Sequence, residues 1–146
     1  MRLKDFYLEL SVLLNYFQSF SLLFARIVLA YGFYEPALTK WRNFDTTAEW
    51  FSSLGIPLAP VMTLLTASIE ILGVLLLFLG LFTRLITIPL MIIMVIAVLT
   101  VHISNGFSVA DNGFEVPLYY FLFLSILTSY GAGEFSLDRV IFGKEK

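Results

Sequence analysis

The stretch "LITIPLMIIMVIAVLTVH", Leu85 to His102, carries no charge before its final histidine. A run this long and apolar is close to the roughly 20 residues that carry a helix across a bilayer. Three more segments resemble it. One covers residues 20–40, interrupted by Arg26 and Glu35; one covers 60–82, broken only by Glu70; one covers 116–130 and starts just after Glu115. Charged residues make up 14% of the chain, against about a quarter in soluble domains, so there is too little polar surface to cover the fold in water. The chain reads as an integral membrane protein. No stretch alternates with period two, so the spans are helices. The expected fold is all-α: a single domain over residues 1–146 forming a polytopic membrane four-helix bundle, with spans at 20–40, 60–82, 85–102 and 116–130.

The N-terminus, "MRLKDFYLELSVLLNYF", is a poor signal peptide, because Asp5 and Glu9 interrupt it and no small-residue cleavage site follows. Leu3, Phe6, Leu10, Leu13 and Phe17 recur at helical spacing, with Arg2, Asp5, Glu9 and Ser19 off that face. This predicts an amphipathic helix along the membrane surface or a continuation of the first span. Pro89 and Pro117 are expected in first helical turns, where a missing N–H is tolerated. Four spans put both termini and the turn at Arg84 on one side, with Arg2, Lys4, Arg84, Arg139, Lys144 and Lys146; the other side has Lys40 and Arg42. The positive-inside rule then places both termini in the cytoplasm and the chain in the inner membrane. In the first outer loop Thr46 and Glu49 have capping-box spacing, so Thr46 is expected to start a short helix. Trp50, Phe51 and Leu54 of that helix would lid the bundle, with Trp41 and Trp50 in the aromatic belt.

Charges inside spans normally face the bundle interior and find partners. At about 100° per residue, Ala30, Phe33, Ala37 and Lys40 share the face of Arg26, while Glu35 points away. Small Ala30 and Ala37 suit close helix approach, and around Glu70 the same count gathers Thr63, Thr66, Gly73, Leu77 and Gly80, a small and polar stripe that marks an inward face. By axial rise Arg26 lies about 21 Å below Lys40, and Glu70 about 15 Å below Pro60. An Arg26–Glu70 pair is therefore expected at the floor of a polar pocket. The loop "HISNGFSVADNGFE" brings His102 and Glu115 to one depth as an outer layer, with Tyr119 one turn below Glu115. Each of these has a plainer alternative: the pair fixes helix register, the outer residues are solvated helix ends, and Lys40 snorkels to headgroups.

The chain has no cysteine, which excludes disulfides, thiol redox chemistry and thiolate-bound zinc or iron–sulfur clusters. A single histidine, His102, cannot supply a bis-histidine haem. No metal site is expected, and electrons would have to come from a ligand or a partner. The formal net charge of −2 and the absence of a basic patch argue against nucleic acid.

Several pieces in order carry a family resemblance: "RIVLAYGFYEPALTK" with Arg26 and Lys40, "LGIPLAP", "EILGVLLLFLGLFTR", "VHISNGF", "NGFEVP" and "GAGEFSLD". The chain resembles the DoxX family of small four-span membrane proteins. That resemblance implies an oxidoreductase component working with quinone, like subunits of thiosulfate:quinone oxidoreductase or of a quinol oxidase, alongside a partner redox subunit. No covalent cofactor is expected; quinone would be the ligand or substrate. In that chemistry His102 would exchange protons near neutrality and Glu115 would orient it or relay a proton. Arg26, held by Glu70, would bind a quinone oxygen or a small anion, with Lys40 adding positive charge and Tyr119 lining the site. Two other functions fit the same residues. One is a non-enzymatic binder or carrier of a lipophilic or anionic ligand; the other is a scaffold subunit whose charges only organise helices.

Overall fold

The computed structural model describes residues 3–143. Arg2, Lys144 and Lys146, which enter the charge asymmetry, lie outside the described residues. Among the described residues seven α-helices follow one another: α1 (Leu3–Asn15), α2 (Phe17–Arg42), α3 (Phe44–Ser53), α4 (Ala59–Leu79), α5 (Thr83–Ala97), α6 (Glu115–Tyr130) and α7 (Leu137–Phe142). Among the described residues there is no strand. Helix α5 continues through a π turn, Val98–His102, and a 3₁₀ turn, Ile103–Asn105. Three helical stretches, Phe17–Arg42, Ala59–Leu79 and Thr83–Asn105, are long and apolar enough to cross a membrane.

Four helices form the bundle: α2 packs on α4 and α6, α4 on α5, and α5 on α6. The end carrying α3 and the α5–α6 loop is called the upper end below, and the end carrying the α4–α5 turn and α7 the lower end. The core contains Leu29, Phe33, Leu77, Leu90, Leu124 and Leu127, all essentially inaccessible. The inward stripes expected from helical phase are the observed ones. Arg26, Ala30, Phe33 and Ala37 are buried on α2, as are Thr63, Glu70, Gly73 and Leu77 on α4. Glu35 is exposed. The outward faces are apolar, with Phe24, Tyr31, Phe78 and Leu85 more than 60% exposed, as lipid contact requires.

Helix α1 has no buried residue and exposes Leu3, Phe6, Leu10 and Leu13. It is separated from α2 by Tyr16 alone. Two details differ from expectation. Helix α3 starts at Phe44 rather than Thr46, since the backbone N–H of Thr47 already bonds to the Asn43 carbonyl at 2.9 Å. Pro89 lies inside α5, because that helix starts at Thr83, whereas Pro117 does fall in the first turn of α6.

Candidate functional site

Lys40 and Glu70 form an ion pair within the bundle. Lys40 Nζ lies 2.8 Å from Glu70 Oε2 and 3.1 Å from Oε1. The Glu70 side chain is 3% exposed and that of Lys40 16%. The geometry follows from helix direction. Side chains on a helix tilt toward its N-terminus. Helix α2 rises, so the Lys40 stem points down, and its ammonium comes within 3.5 Å of the Pro36 carbonyl. Helix α4 descends, so Glu70 points up toward it.

The same tilt separates Arg26 from Glu70, and the expected pair between them does not form. Arg26 points down, away from Glu70. Its Nη1 donates to the Leu77 carbonyl at 3.0 Å and its Nη2 to the Phe135 carbonyl. The Leu77 carbonyl lies in the last turn of α4, where the helix dipole favours a cation. Arg26 is fully buried, and its Nε has no hydrogen-bond partner. Gly80 makes room for it: a Cβ there would sit 2.2 Å from Nη1, and the glycine adopts φ +66. Across the turn, buried Asp138 accepts from the backbone N–H groups of Phe82 (2.7 Å) and Thr83 (3.0 Å) at the start of α5. A cation thus closes the C-terminal end of α4, and a carboxylate closes the N-terminal end of α5.

Above the Lys40–Glu70 pair lies a cavity of about 320 Å³. Its walls come from Phe33 and Pro36 of α2, Trp50 and Phe51 of α3, Met62 and Thr66 of α4, Met94 and Ala97 of α5, Thr100 and His102 of the π turn, and Pro117 and Tyr120 of α6. With Trp50 and Phe51 of α3, and Leu54 just after it, lining the cavity, α3 covers it as the sequence predicts. Small-molecule sites have volumes of about 300–1,000 Å³, with mostly apolar walls and few polar groups. The polar groups here are Lys40, Glu70, Thr66, Thr100, His102 and Tyr120.

His102 reaches the cavity through the π turn, in which the Ile103 N–H bonds back to the Val98 carbonyl, one residue further than in an α-helix. His102 Nδ1 lies 2.8 Å from the Asn112 carbonyl. A carbonyl only accepts, so Nδ1 carries the donated proton and Nε2 is the ring nitrogen outside this bond. Glu115 takes no part in lining the cavity. It ties the loop together, accepting from the Val109 N–H at 3.0 Å and from the Tyr119 hydroxyl at 3.2 Å. Tyr119 is correspondingly exposed, and Tyr120 is the tyrosine in the cavity wall. Of the six residues expected at the site, the structure brings together Lys40, Glu70 and His102, and leaves Arg26, Glu115 and Tyr119 outside the cavity. Tyr120 was legible: Pro117, Tyr120, Leu124 and Leu127 form one stripe at spacings of three and four. No comparable signal marks Asp138, whose partners are 55 and 56 residues away. Among the described residues no group of three or more His, Asp or Glu side chains could hold a metal ion.

Comparison with known proteins adds the lineage. The DoxX family profile matches residues 21–103. The chain belongs to the DoxX family. Two DoxX-like relatives from Haemophilus influenzae, both named only as uncharacterized proteins, are 34% identical to it. One match covers 83% of each chain, the other 90% of this chain and 98% of the relative. A Bacillus subtilis protein named "Putative oxidoreductase CatD" is 29% identical over 85% of this chain and 89% of its own. No solved structure matches the DoxX chain significantly.

Proposed function

We propose that this DoxX-family protein is the ligand-binding membrane component of a quinone-linked oxidoreductase, with a partner subunit or substrate supplying the electrons. The observation that carries the reading is the apolar cavity with a paired ammonium at its floor and an imidazole in its wall. The residues fit a quinone: Phe33, Phe51 and Pro117 offer apolar surface to a ring, while Lys40 and His102 offer donors to its oxygens. A bound quinone would supply a two-electron, two-proton couple. Within this reading Lys40 binds an oxygen, Glu70 holds the ammonium in place, and His102 Nε2 exchanges a proton. Glu115 and Tyr119 act on the loop that positions His102, and Arg26 sets the lower end of the bundle. The relative named as an oxidoreductase supports the reading.

The reading includes four spans, with the apolar 16-residue α6 as the fourth, both termini cytoplasmic and the protein in the inner membrane. Lys40 pairs inside the bundle, which leaves Arg42 as the upper-end cation and sharpens the charge asymmetry.

The test is mass spectrometry of lipophilic molecules extracted from protein purified in mild detergent. A prenyl quinone should be enriched above its proportion in the membrane, and Ala97→Trp, which fills the cavity, should abolish the enrichment. Enrichment of a non-redox lipid would instead favour the carrier function, and no enrichment would remove the quinone.

A further inference from the structure

Where Tyr120 meets Gly32, the cavity wall brings together a phenol and a carbonyl that lacks its usual α-helical donor. The Tyr120 ring stands edge-on to Phe33, with centroids 5.3 Å apart and planes at 62°, and its hydroxyl comes to rest against Gly32. A Cβ at Gly32 would lie 1.9 Å from that hydroxyl, so only glycine admits the phenol at this place. Among the described residues no side-chain hydrogen bond engages the Tyr120 hydroxyl. The second group is created by Pro36. Proline has no N–H, so the carbonyl four residues earlier, that of Gly32, loses its helical donor. Gly32, Pro36 and Tyr120 all line the cavity.

Polar groups in a mostly apolar wall favour a ligand that supplies them with hydrogen-bond partners. We infer that Tyr120 and the Gly32 carbonyl form a notch that binds one ligand oxygen in both of its protonation forms. The phenol donates to that oxygen when it is a carbonyl; the Gly32 carbonyl accepts from it when it is a hydroxyl. The ligand class this selects is a ring oxygen that alternates between C=O and C–OH, as in a quinone and its hydroquinone. The inference rests on the proposed quinone reading and adds to it the residues that tell the two redox forms apart.

Two substitutions separate the halves of the notch. Tyr120→Phe keeps the ring and removes the donor. Pro36→Ala returns an N–H to the Gly32 carbonyl, which then competes with the ligand for that acceptor. Binding is read anaerobically from fluorescence quenching by a short-chain benzoquinone and, separately, by its hydroquinone. Trp41→Phe in every protein leaves Trp50, in the cavity wall, as the one fluorophore of its kind. Tyr120→Phe should weaken the quinone several-fold to about tenfold, the range of one lost hydrogen bond, and the hydroquinone by less. Pro36→Ala should do the reverse. Tyr31→Phe, on the exposed side of α2, should change neither. If both variants shift both affinities by the same factor, or if Tyr120→Phe lowers thermal stability while leaving binding intact, the two groups serve only each other and the inference fails. If the parent protein binds neither form, the quinone reading falls with it. If it binds both and the variants do not discriminate, the notch alone is disproved.

Discussion

Lys40 Nζ sits 2.8 Å from Glu70 Oε2, so the two charges buried between α2 and α4 are settled by one another. Removing one partner leaves the other in low dielectric, which costs about 3–5 kcal/mol, whereas removing both together costs much less. Thermal unfolding in detergent should therefore show Lys40→Leu and Glu70→Leu each strongly destabilised and the double variant partly restored. Additive losses would show that the two side chains do not depend on each other.

Arg26 belongs to a different arrangement, and its variants should behave independently of Glu70. Arg26→Leu leaves the Leu77 and Phe135 carbonyls without their charged donor and should cost about 3 kcal/mol or more. Adding Glu70→Leu should give the sum of the two single effects, because the residues share no partner. Rescue of Arg26→Leu by Glu70→Leu would contradict the arrangement seen here.

These two pairs also show what was legible in the sequence. Helical phase identified the inward faces correctly, because burial in a bundle repeats at 3.6 residues: Arg26, Glu70 and Lys40 all point inward as expected. Axial depth counted from Cα positions misassigned the partner. It ignored the tilt of side chains toward the helix N-terminus, which brings Lys40 and Glu70 together and carries Arg26 away. Tyr119, the tyrosine expected at the site, is one residue from Tyr120, a rotation of about 100° on the helix. The π turn that places His102, and the reach of Asp138 to α5, arise from tertiary packing and have no local pattern.

Asp138 should matter to stability rather than to ligand binding. Its carboxylate satisfies two amides that open α5, so Asp138→Ala should cost about 2 kcal/mol. Thermal unfolding measures the loss. Asp138→Asn, which retains one acceptor oxygen, should lose less, and equal stability of all three proteins would remove the capping role.

The proposed proton exchange at His102 predicts a pH signature. His102→Gln preserves hydrogen bonding near the Asn112 carbonyl and removes the imidazole that would carry the proton. Ligand binding should persist in this variant, while the activity–pH profile flattens between about 5 and 8. A profile that matches the parent protein would reduce His102 to a helix-end residue.

Orientation is open to a direct check. A periplasmically active reporter fused after residue 146 should stay silent, and a reporter inserted in the Gly106–Gly113 loop should be active. The opposite pattern would invert the proposed topology.

The central claim is that the cavity roofed by α3 holds a quinone, and photolabelling measures it most directly. A photoreactive benzoquinone applied to the purified protein should form adducts with wall residues such as Trp50, Phe51, Met94, Ala97 and His102, and excess unmodified quinone should suppress them. Adducts spread over lipid-facing residues such as Phe24 and Leu85, unaffected by the competitor, would contradict it.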